Sequence, residues 1–580
     1  MADTPRQKLT KRWTQLERER SSYISHYRDL QEYLLPRRGR FLTTERNDGG
    51  KKHKRILDNS GTLAARTLAS GMMAGLTSPA RPWFKLATPD PDLAEFGPVK
   101  EWLYRVERLL REVLARSNLY NVLHTTYKEI GVFGTSPFFT AENFKDVIRG
   151  FPITVGSYAL DINGNLETDT LYREVPMTVK MVVDQFGKSR VSHSTLNMFN
   201  EGNLANNVTV MHAIEPNTTD LGYDGIESRI VENKPFRSVY WEKKGDSDRD
   251  SGLLELRGYR EFPVLAPRWD VTGTDVYGSS PGMEALGDVQ QLQVMQRWKG
   301  EGISKQVRPP MIAPEALRYK QKSTIPGGVT YYDGAAGMKG FEPAYNVRFE
   351  LQYLIEDIRE TKARISRAFY EDLFLMLAQS DRRQITAREI EERHEEKLLM
   401  LGPVLERLED ELLDPLIARL FSVCHEAGIL PPPPQEIVDA GELKVEYISI
   451  LAQAQKSVAI NALERTATYV GGLAQVQVAG GGRADVIDKM DFDQMVDEYG
   501  DAIGIAPTVI RTDDDVKGIR DSRVKAEQQQ QQMAMAQQAA DAAAKAGTVK
   551  TDERNVVADA IQSANTASGG GNPVPNVGQP

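Results

Sequence analysis

The 580-residue sequence predicts an α+β protein, mainly helical, from three observations. Long stretches carry apolar residues at helical spacing at the start of the chain, through its middle and toward its end. Between about 137 and 275 the period shifts toward two, the signature of strands. Pro, Gly or an Asn-Gly pair punctuates the shifts. At this length two to four packed units are expected, because single cores rarely grow past about 250–300 residues.

The elements follow in chain order. A helical pattern from Leu9 to Leu35 stops at Pro36, which cannot continue a helix. Residues 6–60 carry roughly twice as many Lys and Arg as Asp and Glu. Two of their clusters, Arg37-Arg38-Gly39-Arg40 and Lys51-Lys52-His53-Lys54-Arg55, read as an exposed loop that is either solvated or in contact with DNA or an acidic partner. Residues 58–76 read as a helix capped by Asp58, Asn59 or Ser60. Its Gly, Ala and Ser content lets neighbouring backbone approach closely, so it belongs inside a packed unit. Residues 98–131 form a second helical stretch with Trp102, Val106, Leu109, Leu110, Val113 and Leu114 on one face.

The strand-like region follows, with Asn163-Gly164 between YALDI and NLETDTLY marking a hairpin. Helix resumes at 281–305, where Pro281 suits a first turn. Pro and Gly break up 306–345, a small β-rich insertion with strands such as Val329–Tyr332. A helix over 348–370 carries Phe349, Leu351, Leu354, Ile355, Ile358, Ile365 and Phe369 mostly on one stripe. Residues 371–385 read as a loop, although Leu373–Leu377 also fits a continued helix. Thr386 and Glu389 form a capping box for a long helix to about Glu426, bent at Pro403 and Pro415. Pro431–Pro434 marks a boundary. Residues 445–525 read as a compact helical unit broken at Gly471-Gly472 and Gly480–Gly482, and the Gln/Ala-rich stretch after 526 reads as an extended helix with a polar, glycine-rich end.

Composition narrows the function. The apolar and charged fractions, 40% and 26%, are ordinary for a globular protein. A net charge of −9 argues against a protein that grips nucleic acid over a broad basic face. One cysteine, Cys424, rules out an intrachain disulfide and favours a reducing compartment. It reads as a buried thiol on a helix, since only His425 stands beside it as a further ligand. There is no run of about 18 apolar residues and no signal-peptide core, so no membrane partner is expected.

Enzyme signatures are absent above noise. Gly187-Lys188-Ser189 mimics a phosphate loop, but position 182 is Val182 where that loop needs glycine, so a turn is the reading. The histidines at 26, 53, 124, 193, 212 and 394 lack zinc-site spacing. Asp491 and Asp493 offer a magnesium pair in principle. Asp513–Asp515 sit where carboxylates favour a helix start. No catalytic residue, cofactor or resident metal is expected.

The order of elements, with two helices flanking a β insertion, a loop, a kinked helix and a helical unit, resembles the portal proteins, the head-to-tail connectors of tailed bacteriophages. The segments ARTLASGMMAGLTSPARPWF at 65–84, VYGSSPGMEALGDVQQLQ at 276–293, ITAREIEER at 385–393 and LGPVLERLEDELLDPLIARLF at 401–421 carry the likeness toward the short-tailed (podovirus) type. It covers roughly residues 10–520.

The resemblance implies a wing at 1–280, stem helices at 281–305 and 346–370, a clip at 306–345, a tunnel loop at 371–385, a long kinked wing helix at 386–430 and a crown at 431–525. The tail from 526 has no assigned counterpart. It also implies a homododecamer at one capsid vertex, with double-stranded DNA passing through its channel. The implied partners are the terminase large subunit, a tail adaptor protein, and the major capsid and scaffolding proteins. Assembly would take place in the bacterial cytoplasm. Gln379, Ser380, Asp381, Arg382 and Arg383 become the candidate DNA-channel residues. Two other readings stand beside this one: a DNA-processing enzyme with metal at Asp491 and Asp493, and an internal ejection protein, which should be more uniformly helical.

Overall fold

The computed structural model describes residues 3–41, 50, 52–90, 93, 96–218, 231, 233–244, 252–308, 311–312, 318, 342–343, 351–380, 401–440, 443–448, 450–481, 483–503, 511 and 513–546. They divide into two units, Met1–Gly504 and Ile505–Pro580.

In the first unit, helix Pro5–Tyr33 starts at a reciprocal cap. The Thr4 hydroxyl accepts from the Gln7 N–H at 3.3 Å, and the Gln7 side chain accepts from the Thr4 N–H at 3.0 Å. Leu9, Trp13 and Leu16 line one face and bury against Ala159, Tyr172, Met211, Val239 and Trp241 of a sheet. That sheet is antiparallel, with strands β4 (Tyr158–Ile162), β5 (Thr168–Thr178), β6 (Asn207–Pro216), β7 (Phe236–Glu242) and β8 (Glu255–Tyr259) side by side in that order. The Asn163-Gly164 signal holds. Asn163 Oδ1 accepts from the Asn165 and Glu167 N–H groups at 2.9 and 3.0 Å, closing the β4–β5 hairpin.

The strand-rich region is less uniform than its period suggested. Helices Val179–Phe186 and His193–Asn200 lie between β5 and β6, begun by Thr178 and Ser192, whose hydroxyls accept from Met181 and Thr195 N–H groups. Both are short, so their apolar residues do not establish a helical period. Val182, Val183 and Phe186 pack with Met177, Val191 and Val210 in a small core of their own.

The main core is helical. Helices Ser60–Gly75 and Leu119–Phe133 pack together, and a three-stranded sheet of β3 (Val147–Pro152), β2 (Phe138–Asn143) and β9 (Val264–Leu265) adjoins them. The 98–131 stretch is two helices, Gly97–Arg116 and Leu119–Phe133, parted where the Ser117 Oγ takes the Leu119 N–H. Small residues do permit close approach: a Cβ on Gly71 would stand about 2.2–2.5 Å from Phe374, closer than atoms pack.

Three further expectations need correction. Residues 371–380 are not a loop but helix Glu371–Ser380, because Leu373 and Phe374 bury in the main core. Residues 444–447 do not start a separate helical unit. They form β12 (Lys444–Tyr447), paired antiparallel with β1 (Phe84–Ala87). Gly471 and Gly472 do not break helix Ile450–Ala479, which ends only at Gly480 and Gly481. Tyr469, Val476, Val478 and Val496 of this region are exposed.

In the kinked rod, residues 386–400, including the Thr386–Glu389 cap, lie outside the described residues. Helix over 401–408 passes into a π-turn, Glu409–Leu413, and then into helix Asp414–Glu426. Pro415 has no N–H to give the Glu411 carbonyl, and its ring would crowd that carbonyl in a regular helix. The wider turn accommodates it, with the Asp414 N–H bonding to Glu409 O. Cys424 is buried there, its thiol pKa pushed up to about 11 by burial. In the second unit the described structure is one helix, Asp513–Ala546.

Candidate functional site

The candidate site is built on two long helices, Pro281–Val307 and Leu351–Ala368, packed side by side. Ser280 caps the first by accepting from the Met283 N–H at 3.1 Å, with Pro281 in the first turn as read from the sequence. Val289, Leu292, Met295, Ile358 and Ile365 are buried between and beneath them. Arg364 Nε donates to Asp288 Oδ1 at 3.1 Å across the pair.

Asp58 ties both helices to helix Ser60–Gly75. Its carboxylate takes Lys362 Nζ at 2.7 Å and Gln296 Nε2 at 2.8 Å. Gln293 accepts from the Leu57 and Asp58 N–H groups at 2.7 and 2.8 Å and donates to the Asp58 carbonyl at 2.9 Å. Burial pushes the Asp58 pKa up, but the Lys362 and Ser60 hydrogen bonds outweigh it and hold the carboxyl below its ordinary value.

On their outer faces the paired helices leave Val294, Trp298, Ile303, Val307 and Tyr353 exposed. Val294 and Trp298 stand four residues apart, as do Ile303 and Val307, so each pair shares a face. Beyond Val307, Met311–Ile312 pairs antiparallel with Glu342–Pro343, holding the two ends of the 306–345 insertion together. The residues between them lie outside the described residues apart from Arg318, and so does the Val329–Tyr332 strand.

Helix Leu351–Ala368 ends at a hinge. Tyr370 has φ 52, unusual for a residue with a side chain, and its ring lies 6.2 Å from that of Trp269. Helix Glu371–Ser380 then docks on helix Ser60–Gly75. Phe374 fills the notch at Gly71, and Glu371 accepts from Thr67 Oγ1 at 3.3 Å and Ser366 Oγ at 2.9 Å. Of the candidate channel residues, Gln379 and Ser380 end this helix, while Asp381, Arg382 and Arg383 lie outside the described residues. Asp58 and Tyr370 carry no chemical signature in the sequence. Asp58 read only as one of three cap candidates, because Gln293, Gln296 and Lys362 stand more than two hundred residues away.

The other candidates take structural places. Asp491 Oδ1 accepts from the Asp493 and Gln494 N–H groups, both at 3.1 Å, as the cap of helix Phe492–Ile503. Gly187 ends helix Val179–Phe186 with φ 85. Among the described residues no three His, Cys, Asp or Glu gather as metal ligands, and no helix is long and apolar enough to cross a membrane.

The family described as "Bacteriophage head to tail connecting protein" matches residues 6–510. The "Probable portal protein" of Bordetella phage BPP-1 is 45% identical over 560 residues, 97% of this chain and 98% of that protein. The "Portal protein" of Salmonella phage epsilon15 is 45% identical over 555 residues, 95% of this chain and 97% of that protein. With a match this long and relatives covered almost end to end, the chain belongs to the bacteriophage head-to-tail connecting, or portal, protein family.

Proposed function

We propose that this chain is a non-enzymatic structural subunit that closes with eleven copies of itself into a ring at one vertex of the virion head. Double-stranded DNA passes through the ring during packaging, retention and ejection. The observation that carries this reading is the pair of helices Pro281–Val307 and Leu351–Ala368. They are locked together by Asp58 and Arg364, yet expose Trp298, Val307 and Tyr353. Large apolar side chains on a rigid surface call for a partner. A head-to-tail contact between identical subunits closes into a ring when its rotation permits.

In this reading 1–280 is the wing, the two helices are the stem, 306–345 is the clip and 401–426 belongs to the long wing helix. The clip meets the terminase large subunit and later the tail adaptor, and the wing side faces the capsid and scaffolding proteins. Channel DNA must slide, and each phosphate neutralised by Lys or Arg adds affinity that resists sliding. A chain of net charge −9 suits that need. Purified protein should sediment as a closed oligomer near ~0.8 MDa, twelve copies of 64.8 kDa, and show a ring in end-on negative-stain images. Monomer alone at micromolar concentration under native salt would reject the ring.

A further inference from the structure

Strand β12 has one edge paired and the other open. The Ile448 N–H donates to the Trp83 carbonyl at 3.1 Å, which fixes the phase of the β1–β12 ladder. In an antiparallel pair, successive residues turn their backbone groups alternately toward the partner strand and away from it. Lys444 and Glu446 therefore face Ala87 and Lys85, while Val445 and Tyr447 turn their N–H and C=O groups outward. No hydrogen bond reaches those outward groups among the described residues.

Three other strand edges are closed by side chains. On β1 the buried Glu107 carboxylate takes a backbone hydrogen bond from Leu86. On β3 the Asn118 amide exchanges two bonds with the Gly150 backbone, at 2.9 and 2.7 Å. On β4 Arg20 donates to the Tyr158 carbonyl, and the Leu160 N–H donates to the Tyr277 hydroxyl at 3.1 Å. Folds blunt their edges in this way because an open one pairs with another chain.

The open edge borders an apolar groove of about 560 Å³, lined by Val445 itself with Trp102, Ile417, Phe421, Pro431 and Ile437. Its rim is acidic. Glu261 lines it, and exposed Glu436 and Asp439 flank Ile437 on helix Gln435–Ala440. The cations at hand are already engaged: Arg419 lies 3.3 Å from Glu142 and 3.8 Å from Glu261, and Lys444 lies 3.8 Å from Glu446.

We infer that the β12 edge and its groove take an extended strand from another protein, a basic segment with apolar side chains at alternate positions. Val445 and Tyr447 continue the ladder to that strand through their outward N–H and C=O groups. Side chains of a strand alternate in direction, so every second one is aimed at the groove. Its positive charge answers the acidic rim. A second copy of β12 fits poorly, because it would bring its own Glu436 and Asp439 against these, and like charges across an interface repel.

The test uses the full chain and a fluorescein-labelled peptide of about nine alternating Lys and Val residues, read by anisotropy, with a Glu–Val peptide of equal length as control. The Lys–Val peptide should bind and the Glu–Val peptide should not. Val445→Pro removes an outward N–H yet keeps the ladder to β1, a substitution that edge strands tolerate. It should weaken binding about tenfold, the loss expected of one backbone hydrogen bond, with thermal stability near the parent's. Glu436→Lys with Asp439→Lys leaves β12 intact and should reverse the preference between the two peptides, which keeps the test decisive if the proline variant does not fold. No saturable binding of the Lys–Val peptide up to about 1 mM overturns the inference, as does equal binding of both peptides. Undiminished binding by folded Val445→Pro overturns the strand pairing. An oligomer of the parent that Val445→Pro loses by sedimentation assigns the edge to contact between copies and overturns it too.

Discussion

The Arg268 guanidinium and the Glu411 carboxylate form a two-pronged ion pair across 143 residues of sequence, with Arg268 Nη2 and Nε at 2.6 and 3.1 Å from Glu411 Oε1. The Arg268 backbone N–H adds a third bond, 2.8 Å to Oε2, and Nη2 also reaches the Leu166 carbonyl at 2.8 Å. The Arg268 side chain is only 4% exposed. Glu411 sits in the π-turn that Pro415 imposes. The bend in the long helix and its attachment to the segment after β9 therefore meet at one residue.

Removing one partner of such a pair strands a buried charge. Arg268→Ala should destabilise the fold by roughly 3–5 kcal/mol. Glu411→Gln keeps an acceptor for the Arg268 backbone but leaves the more deeply buried Arg268 charge unpaired, so it should cost a comparable amount. Urea unfolding measures both, and a double-mutant cycle that shows no coupling would reject the pair as a functional link between that segment and the helix.

The notch at Gly71 sets the position of helix Glu371–Ser380. Gly71→Ala drives a Cβ into Phe374 and should destabilise the fold by about 1–3 kcal/mol through overpacking. Phe374→Ala should cost about 3–5 kcal/mol through lost burial and a cavity. Because the new methyl occupies part of that cavity, the double variant should be less destabilised than the sum of the two. Strict additivity in thermal melts would show that the two residues do not meet.

Glu129 gives a pH signature. Burial raises its pKa from the ordinary 4.5 to about 7, against the lowering effects of Arg38, the Thr154 hydroxyl and Lys128. With the folded value above the unfolded one, the stability it contributes is full below about pH 4.5 and is lost as pH rises through about 7. Glu129→Gln does not titrate. The stability difference should therefore move in the variant's favour by up to about 3 kcal/mol between about pH 4.5 and 8, at about 1.4 kcal/mol per unit. A difference that stays constant with pH contradicts a buried, titrating carboxyl.

Much of this fold was legible locally. The helices at 281–307 and 351–368 announced themselves through Pro281 and apolar periodicity, and the 158–178 hairpin through Asn163-Gly164. What was missed depends on distance or brevity. Strand β12 has its partner more than 350 residues upstream, and four residues carry no period of their own. The helices at 179–186 and 193–200 are two turns long, and only the Thr178 and Ser192 caps could have signalled them. The run Leu373–Leu377 fits loop and helix alike in sequence, and it is the small Gly71 opposite that makes helix the better packed state. For the candidate site, the sequence could show apolar helices but not that Asp58 fastens both of them.

Exposed Trp298 offers a direct test of assembly. Trp298→Glu places a charge where a neighbouring copy should bury an aromatic ring, so the oligomer should dissociate into folded monomer. Sedimentation reads the first outcome and far-UV circular dichroism the second. An intact ring with Glu at 298 would remove this face from the interface.

The last prediction concerns Gln379–Arg383. Gln379 and Ser380 end a helix whose base is fixed by the Tyr370 hinge, by Glu371 and by Phe374. A segment leaving a fixed helix end can be presented at a defined place, as a channel constriction requires. There Asp381 would offset Arg382 and Arg383, leaving phosphate contacts weak enough to break at each step of DNA movement. Arg382→Ala with Arg383→Ala should leave ring assembly intact and change DNA packaging or retention. Reversal of both to Glu should act more strongly, because repulsion replaces weak attraction. Packaging assays on assembled particles decide the matter: if both variants package and retain DNA as the parent does, Gln379–Arg383 lies away from the constriction and helix Glu371–Ser380 serves packing alone.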